Sequence, residues 1–199
     1  MQNQDAHGPP PFVRRGGGVL LDRDGVISQQ TAFVNQPDDL ALIEGSAAAI
    51  GRLNAAGWPV VIITNQGGIA MGYLTEAMLH AIHERLKTLL RIQNAHVDAI
   101  FYCAHHEQAK LPQYKADCRC RKPNIGMLEQ ARDELGIDLS KSVVVGDRTT
   151  DILAGIRAGC TTILVETGSA GTDGRNDAEP DARVSDITAA VDLILSDAV

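Results

Sequence analysis

Short apolar runs alternate along this chain with longer stretches that mix apolar and polar residues. Five of the runs have the length and composition of buried strands: Val19–Leu21, Val60–Ile63, Val97–Tyr102, Val143–Val145 and Thr162–Val165. The stretches between them repeat apolar residues every three or four positions, which is the period of a helix packed on one face. Strands that alternate with helices predict an α/β fold, in which helices cover both faces of a doubly wound parallel sheet.

The helical stretches begin and end at residues that are typical of helix termini. The pattern predicts five helices, at about Ser46–Ala56, Thr75–Ile92, Ile125–Leu135, Asp151–Ala158 and Ser185–Leu195. Thr75 is a preferred capping residue, and Gly57 is a typical stop after the first helix. The segment Gly168–Asp181 is rich in Gly, Asp, Ala and Ser, so we predict a surface loop there.

Length and charge limit what this fold can bind. The chain has 199 residues, of which 44% are hydrophobic, and a formal net charge of −7. We expect one domain at residues 18–199, after a disordered N-terminal tail at residues 1–17 that is rich in Pro and Gly. The negative charge argues against a nucleic-acid partner, and no apolar run reaches the roughly 18 residues of a membrane span. These observations favour a cytoplasmic monomer that binds any substrate phosphate through a few local cations.

Polar residues follow three of the predicted strands at the point where each strand ends. Asp22 and Asp24 follow the first strand, Thr64 the second, and Asp147 the fourth. In a doubly wound sheet these ends lie at one edge, where α/β enzymes bind their ligands. Two carboxylates one residue apart repel each other unless a divalent cation or a shared proton compensates. The sequence therefore favours a catalytic pocket, although Asp-x-Asp-Gly also occurs in solvated loops.

Three of the four cysteines lie close together along the chain, in the company of histidines. Cys103 and His105 precede a loop that ends at Cys118 and Cys120. Three thiolates and one imidazole make a closed tetrahedral Zn²⁺ site, and a closed site is structural because no position remains for water or substrate. The alternative is that these cysteines are free and buried. His105 is favoured over His106 as the ligand because its spacing from Cys103 matches the Cys118-x-Cys120 spacing.

Four motifs of this chain resemble, in order and spacing, those of haloacid-dehalogenase-superfamily phosphatases. They are Asp22-x-Asp24-Gly25, Thr64-Asn65, Lys122 and Gly146-Asp147-x-x-x-Asp151. The resemblance implies a Rossmann-like core in which Asp22 is the nucleophile and Asp24 is the general acid and base. It implies Mg²⁺ bound by Asp22, Asp147 and the backbone carbonyl of Asp24. Thr64 and Lys122 would then hold the phosphoryl oxygens.

Each of these residues also has a simpler interpretation. Thr64 could be a helix cap, Lys122 a surface cation, and Asp151 the cap of the helix that it begins. For Asp151, capping and a supporting role at the metal site remain equally open. These alternatives matter because single motif residues match by chance more often than complete sets.

The cysteine-rich loop ends in Cys-Arg-Cys-Arg-Lys-Pro and resembles the subgroup of sugar-bisphosphate and histidinol-phosphate phosphatases. That subgroup implies a minimal cap and a zinc-stabilised loop, with Asn65, Arg121 and Arg148 binding substrate. The expected activity is Mg²⁺-dependent hydrolysis of a small phosphorylated sugar through an aspartyl phosphate. The alternatives are a histidinol-phosphate or general small-phosphomonoester phosphatase, and a non-enzymatic, zinc-stabilised phosphate-binding module.

Overall fold

The computed structural model of the chain describes residues 16–30, 34–174 and 177–196. Its centre is one six-stranded sheet in which every neighbouring pair is parallel and the strand order is β3-β2-β1-β4-β5-β6. The strands are β1 (Val19–Leu21), β2 (Val60–Asn65), β3 (Ala99–Cys103), β4 (Val143–Gly146), β5 (Thr161–Val165) and β6 (Ala182–Val184). The predicted doubly wound parallel sheet is confirmed.

Five α-helices connect these strands or follow them. They are α1 (Ser46–Ala55), α2 (Glu76–Ile92), α3 (Gly126–Leu135), α4 (Thr149–Ala158) and α5 (Ile187–Leu195). The predicted cap of α2 is present, because Thr75 Oγ1 accepts a hydrogen bond from Met78 N at 3.2 Å. No helix in the described ranges is long and apolar enough to cross a membrane.

The pleat of the strands divides the core into two layers. Alternate strand residues face opposite sides, so Val19 and Leu21 join one hydrophobic cluster and Leu20 joins the other. The first cluster includes apolar residues of α1, α2 and α5, and the second includes residues of α3 and α4. Both faces of the central strands are buried, which explains their unbroken apolar runs.

Strand register aligns the polar strand ends. Leu21 pairs with Ile62 of β2 on one side and with Val145 of β4 on the other. On the far side of β2, Asn65 pairs with Cys103 of β3. The first cysteine of the predicted zinc cluster therefore lies at the same carboxyl edge of the sheet as Asn65. The residues that directly follow the three central strands β2, β1 and β4 therefore lie close together at the carboxyl edge of the sheet.

The structure differs from the prediction at the far edge and at several boundaries. The strand Ala182–Val184 was missed, because it is only three residues long and none of the three is fully buried. The third strand was predicted at Val97–Tyr102 and lies at Ala99–Cys103.

Part of the predicted N-terminal tail, residues 1–15, lies outside the described residues. The described chain starts at Gly16, whose carbonyl oxygen accepts a hydrogen bond from Asp138 N at 2.6 Å. The tail at residues 1–17 and the domain boundary at residue 18 stay predictions.

Candidate active site

Asp22 lies at the centre of the carboxyl edge of the sheet. Its backbone N–H donates to Val145 O at 3.0 Å, which extends the β1–β4 pairing by one residue. The Lys122 ammonium lies 2.9 Å from Asp22 Oδ1 and 2.7 Å from Asp151 Oδ1, and it also donates to Ile63 O at 2.6 Å. Lys122 is only 3% exposed, so it is a buried cation that joins two carboxylates. The interpretation of Lys122 as a surface cation is therefore wrong.

Asp151 is the third residue of α4, which begins at Thr149 with Arg148 as its N-cap, so the prediction that Asp151 itself is the cap is wrong. A supporting role of Asp151 at a metal site stays a prediction. Asp151 Oδ2 accepts from Arg148 N at 3.1 Å, which is a capping contact in the first turn of α4. Its Oδ1 forms the contact with Lys122 at the centre of the site. Gly146 makes this possible, because a Cβ atom there would lie about 2.6 Å from Asp151 Oδ2. A glycine at the end of β4 thus lets the first turn of α4 approach the strand closely.

Three carboxyl groups and one ammonium group are buried together at this edge. Burial raises the pKa of Asp22 to about 7 despite the opposing charge of Lys122, and nearby carboxylates add to the rise. Burial likewise raises the pKa of Asp147 to about 6, against a hydrogen bond from the Ser169 backbone. Burial alone would lower the pKa of Lys122, but the charges of Asp151 and Asp22 raise it above its ordinary value. The cluster therefore favours a bound cation.

Asp147 is held at one oxygen and left open at the other. Ser169 N donates to Asp147 Oδ2 at 2.6 Å, whereas Asp147 Oδ1 is buried and has no hydrogen-bond partner within the described ranges. Gly25, at φ +91°, turns the chain beside this carboxylate, and a Cβ there would lie 2.6 Å from Oδ2. Ligand oxygens of Asp22, Asp147 and Asp151 all lie within 4.8 Å of one another. This donor set suits a hard divalent cation.

The Asp24 carboxylate lines the same cavity as Asp22 and is held by its own set of donors. Arg23 donates from Nε to Oδ1 at 3.0 Å and from Nη2 to Oδ2 at 2.7 Å. Ser28 Oγ donates to Oδ1 at 3.1 Å, and Gln66 Nε2 lies 3.0 Å from Oδ2 and 2.8 Å from Thr64 Oγ1. Burial alone would raise the pKa of Asp24, but the Arg23 charge and these hydrogen bonds hold it below its usual range.

Asn65 connects the end of β2 to the backbone of Lys122. Its Nδ2 donates to Lys122 O at 3.0 Å, and its Oδ1 accepts from Lys122 N at 3.0 Å. Both ends of the amide are therefore used to fix the segment that carries the buried lysine. A direct contact of Asn65 with substrate stays a prediction.

Two neighbouring cavities open above these groups. One of about 160 Å³ is lined by Asp22, Asp24, Thr64, Asn65, Arg121, Lys122, Arg148, Thr150 and Asp151. The other, of about 390 Å³, shares Arg121, Lys122 and Thr150 and extends over His106, Glu107 and Asn124. Arg121 thus lies where the two cavities meet, and its Nη1 donates to His105 O at 3.0 Å. A phosphate at Asp22 and a second anionic group near Arg121 fit this shape.

The segment between β3 and α3, residues 104–125, is here called the cysteine loop. Together with Cys103 at the end of β3, it contributes Cys118, Cys120 and His105 to a cluster whose ligand atoms lie within 4.8 Å of one another. His105 Nδ1 lies 3.8 Å from both Cys103 Sγ and Cys120 Sγ, and all of these cysteines are free thiols. Tetrahedral Zn²⁺ with sulfur and nitrogen ligands spaces its ligand atoms by a little under about 4 Å. The donor set and its spacing fit zinc.

A second fastening holds the cysteine loop to α2. Tyr114 of the loop and Tyr102 of β3 each donate a hydroxyl hydrogen bond to Glu76 at 2.8 Å. The Tyr114 ring also packs edge-on against His105, with ring centroids 6.2 Å apart. The loop is thus anchored on the β3 side of the sheet independently of any metal.

All of the predicted catalytic and substrate-binding residues line the smaller cavity, and all four predicted zinc ligands meet in one cluster. Asp147 is not among the residues that line the cavity, but its ligand oxygen lies within 4.8 Å of those of Asp22 and Asp151. Sequence reasoning missed Arg23 and Gln66. The available signal was their position, since each is a polar residue inside a motif whose neighbours were already assigned.

Comparison with known proteins agrees with this site. The Hydrolase_like family, described as HAD-hyrolase-like, matches residues 119–190. The chain is 40% identical over 184 residues to a D-glycero-D-manno-heptose-1,7-bisphosphate 7-phosphatase of Thermosynechococcus vestitus, covering 88% of this chain and 94% of that relative. It is 39% identical over 151 residues to the D-glycero-beta-D-manno-heptose-1,7-bisphosphate 7-phosphatase of Escherichia coli K12, covering 75% and 79% of the two chains.

A solved structure has the same fold. The D,D-heptose 1,7-bisphosphate phosphatase of B. bronchiseptica, crystallised with magnesium and phosphate, matches with a TM-score of 0.81 and 37% identity over 90% of this chain and 98% of that one. Identity at this level over nearly the whole length of both chains shows common descent as well as a common fold. The chain belongs to the heptose-1,7-bisphosphate 7-phosphatase family of haloacid-dehalogenase-like hydrolases.

Proposed function

We propose that this protein is a Mg²⁺-dependent phosphatase that removes the 7-phosphate of D-glycero-D-manno-heptose 1,7-bisphosphate and leaves heptose 1-phosphate. The observation that carries the proposal is the convergence of Asp22, Asp24 and Lys122 on one cavity. A protein that only bound phosphate would gain nothing from two acidic groups in its pocket, which disfavours the non-enzymatic module. The names of the relatives support the choice of substrate.

In the first half of the reaction, Asp22 acts as the nucleophile. Its carboxylate oxygen forms a bond to phosphorus while the bond from phosphorus to the sugar oxygen breaks, and Asp24 gives its proton to that departing oxygen. Thr64 and Lys122 bind the oxygens of the transferring phosphoryl group. Asn65 supports this step because it fixes the Lys122 backbone from both sides.

In the second half, water attacks phosphorus and the Asp22–phosphorus bond breaks, which releases inorganic phosphate and regenerates the carboxylate. Asp24 takes the proton from the attacking water, so the two half-reactions together leave its protonation state unchanged. The hydrogen bonds from Arg23 favour the ionised form of Asp24, which is the form that accepts this proton.

Asp22, Asp147 and the backbone carbonyl of Asp24 would hold Mg²⁺, with Asp151 supporting the site through Lys122. The unpartnered, buried Asp147 Oδ1 supports this assignment, because such an atom is costly without a cation or donor. When bound, Mg²⁺ supplies positive charge that lets an anionic carboxylate approach an anionic phosphate.

Cys103, His105, Cys118 and Cys120 would hold a structural Zn²⁺. The support is the ligand spacing and the number of ligands, because the four residues that come together among the described ones complete a tetrahedral shell. Zinc at this position orders the loop that presents Arg121 and Lys122 to the cavities. Arg121 and Arg148 then bind the phosphate that is not cleaved, since a guanidinium fork matches phosphate oxygens.

We further propose a cytoplasmic monomer. A zinc site of three thiolates needs a reducing compartment, and one chain supplies every group of the proposed site. Light scattering together with size-exclusion chromatography tests the oligomeric state, and a stable dimer would refute this part of the proposal.

A phosphate-release screen tests the function. Purified protein with Mg²⁺ is given both anomers of heptose 1,7-bisphosphate, fructose 1,6-bisphosphate and histidinol phosphate. The proposal predicts the highest kcat/KM on a heptose bisphosphate. A clear preference for histidinol phosphate would instead support the alternative phosphatase, which shares all the catalytic residues and needs no second phosphate site.

A further inference from the structure

We propose that Arg23 is a positioning residue that orients the Asp24 carboxyl for both of its proton transfers. The inference rests on the proposed function in one respect, that Asp24 is the acid and base. Arg23 lies between the two aspartates of the first motif, yet it does not line either cavity. Its side chain is 1% exposed, so it reaches substrate only through Asp24.

The contact between the two side chains has the geometry of a rigid fork. Two guanidinium nitrogens, Nε and Nη2 of Arg23, donate to the two oxygens of Asp24 at 3.0 and 2.7 Å. Such a bidentate pair fixes the plane of the carboxylate as well as its distance. A single donor would leave that plane free to rotate about the Cβ–Cγ bond.

The acceptor positions of Asp24 Oδ2 are both occupied. Gln66 Nε2 lies within hydrogen-bond distance of Oδ2, in addition to Arg23 Nη2, whereas the single Ser28 hydroxyl hydrogen is within reach of both Asp24 Oδ1 and Arg23 O. A carboxylate oxygen offers about two acceptor positions, so Arg23 and Gln66 account for those of Oδ2. For Asp24 to exchange a proton through Oδ2 with the leaving oxygen or with water, one donor has to give way.

Arg23 is the donor least able to give way. Its third nitrogen, Nη1, is buried without a hydrogen-bond partner among the described residues, so the two bonds to Asp24 carry the pairing of this buried charge, and breaking them would leave it unpaired. Gln66 Nε2, in contrast, also contacts Thr64 Oγ1 at 2.8 Å and keeps that contact when it leaves Asp24. The leaving oxygen therefore replaces Gln66 at Oδ2, while Arg23 keeps the carboxyl plane fixed.

The buried surroundings of Arg23 also exclude a competing charge from α2. His83 is 4% exposed, and burial together with the nearby Arg23 charge lowers its pKa to about 3. A neutral imidazole adds no second positive charge that would compete with the guanidinium for the Asp24 carboxylate. The only carboxylate paired with Arg23 in the described part of the chain is Asp24.

The test compares substrates whose leaving groups differ in their need for a proton. An alkyl phosphate, such as a sugar phosphate, needs its leaving oxygen protonated, whereas p-nitrophenolate departs without a proton. For Arg23→Gln we expect kcat/KM to fall about 30- to 100-fold on the best alkyl phosphate and by less than about fivefold on p-nitrophenyl phosphate. Arg23→Lys, which keeps the charge and loses the fork, should fall about tenfold on the alkyl phosphate only. Arg52→Gln, at an exposed ion pair with Asp192, is the matched control and should change neither.

A double-mutant cycle shows whether Arg23 acts through Asp24. In the Asp24→Asn background, Arg23→Gln should lower kcat/KM on the alkyl phosphate by less than about a further twofold, because the group that Arg23 positions is already lost. Losses that multiply, or equal losses of Arg23→Gln on both substrate types, would overturn the proposal. If Arg23→Gln does not fold, the test is made with Arg23→Lys. An Arg23→Lys enzyme with full activity on the alkyl phosphate would overturn the proposal. Because any alkyl phosphate serves, failure on heptose bisphosphate alone refutes the proposed substrate and not the role of Arg23.

Discussion

The two halves of this active site are built by different means. The carboxylate edge, made of Asp22, Asp147 and Asp151, lies at the ends of buried strands and in the first turn of α4, and none of these residues is more than 6% exposed. The cysteine loop lies beside it with most of its residues exposed or half-buried, and it is joined to the rest of the protein at separate points, such as the Tyr114 hydroxyl on Glu76 and the Lys122 ammonium on Asp22.

In the proposed function the carboxylate edge performs the chemistry and the cysteine loop selects the substrate, and the construction of each half suits that division. Groups on buried strands are held by backbone pairing and core packing on both faces, so their spacing is fixed to the tolerance that phosphoryl transfer requires. A loop that is fastened at a few points can change its presented side chains without disturbing the sheet. Lys122 joins the halves, since it belongs to the loop and is buried at the edge.

The largest effect is expected from the nucleophile of the carboxylate edge. Asp22→Asn should lower phosphate release by at least ~10³-fold while the fold is kept, because an amide cannot form the phosphoenzyme. Asp38→Asn, at an exposed acidic position in the short 3-10 helix Pro37–Asp39, is the control and should be as active as the parent. Steady-state phosphate release and the thermal midpoint are measured together. Near-parental activity of Asp22→Asn would assign the nucleophile elsewhere.

The second prediction removes a metal ligand from the same edge. Asp147→Ala should lower kcat about 100-fold at ordinary Mg²⁺ concentration and raise the Mg²⁺ concentration needed for half-maximal activity. Asp133→Ala, at an exposed helix position, should leave that Mg²⁺ dependence unchanged. A titration of activity with Mg²⁺ decides between the results, and an unchanged midpoint in Asp147→Ala would remove this residue from the metal site.

The third prediction separates the cysteine loop from the edge. Arg121→Ala should lower kcat/KM about 10- to 100-fold on a sugar bisphosphate, because each charge-assisted hydrogen bond is worth roughly 1.5–3 kcal/mol. The same variant should lose far less on heptose 7-phosphate, which has no remote phosphate. Arg119→Ala on the same loop, paired with Glu129, is the control. Equal losses on the two substrates would show that Arg121 does not select for a second phosphate.

The smallest kinetic effect is expected at the zinc cluster. Parent protein prepared without chelator should contain about one zinc per chain by elemental analysis. Cys118→Ser should lose most of that zinc, lower the thermal midpoint and raise KM several-fold, because the loop that carries Arg121 becomes less ordered. Cys160→Ala, outside the cluster, should retain zinc. A zinc-free parent protein, or activity with zinc in place of Mg²⁺, would contradict the proposed roles of the two metals.

The sequence was sufficient for five of the six strands and for most of the residues that meet at the strand ends, and the reason is local. Buried parallel strands read as unbroken apolar runs, and the residues that follow them lie at one edge whatever the loops do. The strand Ala182–Val184 escaped this logic because Arg183, exposed at its centre, breaks the run. A short strand at the edge of a sheet, which pairs with a strand on one side only, has too few apolar residues to be recognised from its sequence pattern.

The pairing of side chains inside the site could not be predicted in the same way. The order of residues in the chain does not show that Arg23 donates to Asp24 or that the Asn65 amide bonds to the Lys122 backbone. It also does not show that Asp151 contacts both Arg148 and Lys122. Such contacts depend on rotamers and on residues far apart in the sequence, which only the packed structure brings together.

Trapping of the phosphoenzyme tests the central claim most directly, that the carboxylate edge transfers the phosphoryl group through Asp22. Parent protein is mixed with saturating heptose 1,7-bisphosphate and Mg²⁺, quenched in acid within the first turnover, and digested for mass analysis. The account predicts one phosphate on the peptide that contains Asp22, absent in Asp22→Asn and still formed by Arg121→Ala from heptose 7-phosphate. Turnover with no phosphate on that peptide, or with phosphate on another residue, would contradict it.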